Sequence, residues 1–297
     1  MKRGIYIVAN DRVIENTITL LNSIRCYNQD VPVFMVPFNQ DYHRAFEVLH
    51  REHQVQLFPD LDLVEQFTQK IAEIFDRDFL ALPNKMRKFV LWFGPLDEFL
   101  YIDTDIVVFE DIAANLDFLS EVDFFCCDYH FSGEKLRNIF SPLVLEKQIF
   151  TEADLQDVFN SGFWASRKGL FTLDEMYSTL QECSQHREYF DFSEGVTDQP
   201  VLNYLVLKRI QKRGNLVKTP QGNMGNWAGS PHFVEQDHVL YDQEKRLKYL
   251  HWAGTPIRHG GAYWKIWEYY RYLNDPRPAW RRKLVQQFPF LSFLNGG

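Results

Sequence analysis

The chain has 297 residues, 45% hydrophobic and 16% aromatic, with a formal net charge of −8. That apolar content excludes a disordered chain and supplies one large core. The acidic balance excludes an overall basic footprint for nucleic acid, so an anionic substrate needs a local device such as a metal ion or a helix N-terminus. The four cysteines, Cys26, Cys126, Cys127 and Cys183, form no C-x-x-C pair and read as reduced, mostly buried thiols. The basic start, MKRGIYIVANDR, lacks the apolar stretch of a signal peptide, and no run of roughly 18 apolar residues is present. The expectation is a cytoplasmic protein.

In chain order, Gly4–Ala9 predicts a strand closed by polar Asn10 and Asp11. Ile18, Leu21 and Ile24 share one face of a helix over Glu15–Tyr27. VPVFMVPF (Val31–Phe38) predicts a second strand, Asp41–His53 a helix, and VQLF (Val55–Phe58) a third strand. This rhythm predicts a parallel α/β sheet. No G-x-G-x-x-G follows the first strand, which argues against dinucleotide binding of that type. Leu61–Leu82 reads as a long helical region, and Asn84–Phe93 as a helix broken by Gly94-Pro95. Phe99–Ile102 and Val122–Cys127 read as strands, and Ser132–Asp157 as a long connection suited to a flap. Gly162–Ala165 reads as a short strand, Lys168–Gln185 and Thr197–Ile210 as helices, and Gly214–Trp227 as loop. Arg246–Trp252 is a late strand, followed by helices over Ala262–Leu273 and Pro278–Leu294.

The stretch YIDTDIVVF (Tyr101–Phe109) reads as a strand with Asp103 and Asp105 in its middle. At i and i+2 on an extended chain both carboxylates point the same way, and burial worsens their repulsion. A hard divalent cation such as Mg²⁺ or Mn²⁺ removes that conflict and also accepts phosphate oxygens. The plain alternative is an edge strand with two solvated acids. A phosphatase of the haloacid dehalogenase type also uses D-x-D, with the first Asp as nucleophile. Val107 fits that pattern, but the motif comes late in the chain and no second acidic pair is evident.

Three further stretches carry polar groups at element ends. In FNSGFWASRKG (Phe159–Gly169), Asn160, Ser161 and Gly162 form a turn that lets backbone approach a sugar and offers an amide to hydroxyls; alone it is an ordinary loop. In TDQPVLNYLV (Thr197–Val206), Thr197 caps a helix whose first turn presents Asp198 and Gln199 to a cleft; alone it is capping chemistry. In KYLHWAGTP (Lys248–Pro256), His251 suits a third metal ligand, or a structural hydrogen-bonded role. Trp164, Trp227, Trp252 and Tyr263 are candidates either for the core or for stacking on sugar faces.

In this order, these stretches resemble the GT-A-fold retaining glycosyltransferases of family 8, the glycogenin and galactosyltransferase group. The points of resemblance are the first strand with its polar end, a basic helix before D-x-D, IDTD, FNSGF, DQPVLN and a late H-x-x-G, spread over Gly4–Gly254. The resemblance implies a Rossmann-like mixed sheet flanked by helices, with a catalytic domain over 1–256 and a helical extension over 257–297. It implies transfer of a sugar, with retention, from a nucleotide-diphosphate donor, usually UDP-linked, to an acceptor hydroxyl. Asp103, Asp105 and His251 would hold Mn²⁺ or Mg²⁺, with Asp103 also near the ribose. Ala9 and Asn10 would meet the nucleoside. Asn160 would hydrogen-bond the donor sugar, with Ser161 and Gly162 shaping the turn. Asp198 would hold a sugar hydroxyl, and Gln199 would lie near the anomeric carbon.

Of Lys85, Arg87 and Lys88, the resemblance selects Lys88 as the basic residue facing the donor, by its Lys-x-x-x-Trp spacing to Trp92. After H-x-x-G, which ends at Gly254, the family often continues Lys-Pro-Trp to grip the diphosphate. This chain reads GTPIRHGG, so Arg258 or His259 would have to substitute. That departure leaves open a relative that binds a sugar or nucleotide without catalysis. The last stretch, PAWRRKLVQQFPFLSFLNGG, carries Arg281, Arg282 and Lys283 before Phe288, Phe290 and Phe293. It reads either as a peripheral membrane foot or as a helix packed back on the domain. Neither acceptor nor oligomeric state is legible.

Overall fold

A computed structural model of the chain describes residues 1–80, 82–127, 139–193, 197–219 and 223–275. The strands are β1 Arg3–Ala9, β2 Val33–Pro37, β3 Gln56–Leu57, β4 Glu98–Ile102, β5 Ile106–Val108, β6 Phe124–Cys126 and β7 Phe163–Arg167. They continue as β8 Arg213–Asn215, β9 Gly225–Trp227, β10 Val234–Gln236, β11 Val239–Asp242, β12 Lys245–Arg246 and β13 Tyr249–His251. The α-helices are α1 Ile14–Tyr27, α2 His43–His53, α3 Leu61–Ile74, α4 Leu143–Glu146, α5 Glu152–Leu155, α6 Leu173–Gln185, α7 Asp198–Arg209 and α8 Trp264–Arg271. A 3₁₀ helix spans Pro83–Phe93. No described helix is long and apolar enough to cross a membrane.

Seven strands form the central sheet in the order β3-β2-β1-β4-β7-β6-β8. β1 is parallel to β2 and β4, whereas β7 runs antiparallel to both β4 and β6. The sheet is therefore mixed. Side-chain alternation divides two cores across it. Phe99 and Tyr101 of β4 join an aromatic-rich core under α3, the 3₁₀ helix, α6 and α7. Leu100 and Ile102 join an aliphatic core under α1 and α2. Strand order reverses between β1 and β4, and α/β sheets open a crevice at the carboxyl ends of such strands. That is where Asn10 and Asp103 leave their strands.

Several expected elements differ. The strand expected over Tyr101–Phe109 is two strands in different sheets. β4 ends at Ile102, Asp103 N–H still bonds the Gly162 carbonyl at 2.8 Å, and the chain then turns through Thr104 and Asp105. β5 pairs instead with β13, which also pairs with β9. The turn takes both acids out of a ladder that would have buried them. The helix expected over Leu61–Leu82 stops at Ile74, where the chain turns Phe75 and Phe79 into the aromatic core. α6 begins at Leu173, not Lys168, because Thr172 and Glu175 form a capping box there. The expected loop over Gly214–Trp227 contains most of β8 and all of β9. α8 packs on α1, with Arg271 Nε on Glu15 at 2.5 Å and Asn22 donating to the Tyr270 carbonyl at 2.8 Å. The helix expected over Pro278–Leu294 lies outside the described residues.

Candidate active site

A cleft of about 1040 Å³ opens at the carboxyl ends of β1 and β4. Its walls include Asn10, Lys88, Asp103, Asp105, Asn160, Ser161, Asp198, Gln199, His251 and Gly254. Thus residues separated by more than 240 positions in sequence meet in one place.

Asp103 and Asp105 stand on the turn after β4, and His251 ends β13. His251 Nε2 lies 3.2 Å from Asp105 Oδ1 and 3.8 Å from Asp103 Oδ2. One ligand atom from each of the three residues lies within 4.8 Å of the others. Gly162 makes room for this approach. A Cβ there would overlap the His251 imidazole and come 3.0 Å from Asp103 Oδ2.

Lys88 reaches the acids from beneath. Its Nζ lies 2.8 Å from Asp198 Oδ2 and 3.5 Å from Asp103 Oδ1, over the Tyr101 ring at 4.6 Å. Tyr101 O–H donates to Asp103 Oδ1. Among these groups in direct ion-pair contact, three carboxylates face one lysine. Two negative charges are in excess while His251 is neutral. The titration shifts follow that arithmetic. Burial pushes the Asp103 carboxyl up, and Asp105 adds to it against Lys88. Asp105 and Asp198 are also desolvated, but His251 and Lys88 respectively bring them below the usual carboxylate range. Burial would lower both Lys88 and His251, yet their carboxylate neighbours raise them.

The donor set fits a hard or borderline divalent cation: two carboxylates and an imidazole, converging on a cleft with two charges to offset. Asp103, Asp105 and His251 would hold it.

α7 and the turn before β7 build the opposite wall. Asp198 and Gln199 open α7. Gln199 Oε1 accepts the Ser161 N–H at 3.1 Å, and Ser161 Oγ donates to Asp198 Oδ2 at 3.2 Å. Asn160 Oδ1 accepts the Gly162 N–H at 2.9 Å. Fully buried Asn203 ties turn to helix: it accepts from Phe159 N–H at 2.9 Å and donates to the Phe159 carbonyl at 2.8 Å and the Gln199 carbonyl at 2.9 Å.

At the β1 end, Asn10 accepts from Arg12 N–H and donates to Asn39 Oδ1 at 3.2 Å. Ala9 is fully buried one residue earlier and does not line the cleft. Arg258 is exposed and also outside the lining. The basic groups that do line it, besides Lys88, are Arg12 and Lys85. Arg87 is structural, bonded to the Pro37 carbonyl, Thr68 and Glu65. Trp164 and Trp252 are buried in the core, which corrects their candidacy for stacking on sugars. Sequence reasoning gave Arg12, Tyr101 and Asn203 no role. Asn203 had a visible signal, an amide inside the apolar run Pro200–Leu207 of α7.

No protein-family model matches the chain, and no curated protein does. Solved structures do. The galactosyltransferase LgtC, in complex with donor and acceptor sugar analogs, matches 94% of this chain and 99% of its own at TM-score 0.62 and 14% identity. The fold is that of the GT-A glycosyltransferases. The bifunctional glycosyltransferase WbbM matches at TM-score 0.56 and 14% identity, over 96% of this chain and 51% of its own. GlyE of Streptococcus pneumoniae TIGR4 matches at TM-score 0.53 and 15% identity, over 98% of this chain and 64% of its own. The chain thus spans about half of WbbM and nearly all of LgtC.

Proposed function

We propose that the chain is a metal-dependent glycosyltransferase. It moves a sugar from a nucleotide-diphosphate donor, of the UDP-sugar type, to an acceptor hydroxyl with retention of configuration. One observation carries this reading. The Asp103–Asp105–His251 cluster and the Asn160–Ser161–Asp198–Gln199 wall face one cleft at the strand reversal of a GT-A sheet.

The protein's own groups divide the work. Asn10, at the end of β1, offers its amide to the nucleoside. Arg12 and Lys85, in the cleft lining, supply fixed positive charge for the diphosphate in place of the family's lysine. Asp198 is held ionised by Lys88 and Ser161, so it accepts hydrogen bonds from a donor-sugar hydroxyl without rotating to find its geometry. Gln199, fixed by the Ser161 amide, is held beside the reacting carbon. Asn160 completes the sugar contacts. Mn²⁺ or Mg²⁺, when bound, supplies Lewis-acid stabilisation of the departing diphosphate. No residue in the cleft is singled out as a covalent nucleophile, which favours attack on the face that the diphosphate leaves.

A thermal-shift panel of nucleotide-sugars with and without Mn²⁺ tests the reading. A metal-dependent stabilisation by at least one UDP-sugar is expected. Its absence across the panel would leave a GT-A fold without a donor site.

A further inference from the structure

Trp227 is 43% exposed, although large aromatic side chains in this fold are otherwise buried or half-buried with few exceptions. It ends β9 in register with His251 at the end of β13. Registered residues of adjacent strands project to the same sheet face, with the strands roughly 4.8 Å apart. Trp227 therefore shares the face of a candidate metal ligand, one strand farther out.

The ring is held in place. Its Nε1–H donates to the Ala253 carbonyl at 2.8 Å; Ala253 and Gly254 line the cleft, and Trp227 stands beside that lining at the rim, outside it. Gly229 lies against the six-membered half of the indole, where a Cβ would overlap Cη2, Cζ2 and Cζ3. Ser230 N–H closes that turn on the Trp227 carbonyl at 3.1 Å. The orientation is thus fixed before any ligand arrives, and the ordering cost of binding falls accordingly. An indole presents a broad apolar surface with a negative π face, which suits the polarised C–H groups of a pyranose. The groups proposed for the donor sugar lie on other elements, α7 and the turn before β7.

We propose that Trp227 is a stacking platform for a pyranose of the acceptor. The acceptor is then a saccharide laid across the rim at Ala253 and Gly254, not a bare polypeptide or lipid hydroxyl. This inference rests on the sugar-transfer reading, but its test is independent of turnover. Saturation-transfer NMR on the full chain uses methyl pyranosides of glucose, galactose, mannose and N-acetylglucosamine, with nucleotide-sugar thermal shifts measured in parallel. At least one pyranoside should receive saturation on its ring C–H protons. Trp227→Ala should weaken its affinity by about tenfold, ~1.4 kcal/mol, and Trp227→Phe should restore part of it. No contact with any of the four, or undiminished contact in Trp227→Ala, overturns the platform. Loss of the nucleotide-sugar shifts with the pyranoside contact intact would instead overturn the donor reading alone.

Discussion

The antiparallel pair β5–β13 carries a polar cluster at each end, and the two clusters are built to different charge counts. At one end, Asp105 precedes β5 and His251 closes β13. At the other, Glu110 follows β5 and Lys248 precedes β13. Lys248 is as buried as Lys88, but it meets one carboxylate, Glu110, and one amide oxygen, Asn115 Oδ1 at 3.1 Å. Asn223 then donates to the second Glu110 oxygen at 2.8 Å. That end is balanced charge for charge. The Asp103–Asp105–Asp198–Lys88 end has two negative charges in excess while His251 is neutral, and one when it is protonated. Between them lie Ile106, Val107, Val108 and Leu250, all apolar, and Tyr249. A buried ion pair that is balanced and hydrogen-bonded holds structure together, whereas an unbalanced one has affinity left over for a cation.

The largest expected effect tests that surplus directly. Asp105→Asn removes one candidate ligand and one charge. Transfer activity should fall by about 10³-fold, ~4 kcal/mol, with loss of the Mn²⁺-dependent thermal shift. Near-normal activity with that shift intact would show that the acids are not a metal site. The two lysines come next. Removing either partner of a buried pair costs about 3–5 kcal/mol, so Lys88→Met and Lys248→Met should lower chemical-denaturation stability comparably without metal. Saturating Mn²⁺ should recover much of the loss in Lys88→Met, where its charge would offset a cluster left with three unopposed carboxylates. In Lys248→Met it should add only the wild-type increment. Equal recovery in both would erase the distinction between the two ends.

Which parts of this were legible follows from how local their signals are. The parallel strands β1 and β2 show as apolar runs closed by polar residues, and β4 shows in Phe99–Ile102. Lys88 was selected by the Lys-x-x-x-Trp spacing of the family the chain resembles, and it does line the cleft. β5 was hidden because Ile106–Val108 resumes the apolar character of β4 within one short stretch, and only a partner distant in sequence, β13, shows that the chain has changed sheets. The β10–β12 meander was invisible for a different reason. Its turns place Asp237, His238 and Gln243 at positive φ, where a sequence reading looks for Gly or Asn. The site motifs were each weak alone. Their convergence depends on Asn203 and Gly162, whose effects are contacts across the fold.

The smallest expected effects concern the diphosphate end of the cleft, where sequence reasoning assigned Arg258. The same charge counting that separates the two clusters gives a different answer here. A cation can compensate phosphate charge only from within the cleft, since exposed charges farther away are screened over roughly 8–10 Å. Lys85 lines the cleft and Arg258 does not. Lys85→Ala should therefore weaken nucleotide-sugar binding by about tenfold, ~1.4 kcal/mol, read by calorimetry at fixed Mn²⁺. Arg258→Ala should change it by no more than about twofold. The reverse ranking would mean that the segment after Gly254 closes over the donor when it binds, bringing Arg258 to the phosphates. Because Gly254 has a φ of +63° and no atom within 4 Å of its Cβ position, that motion has a natural pivot, and Gly254→Ala would then strain it.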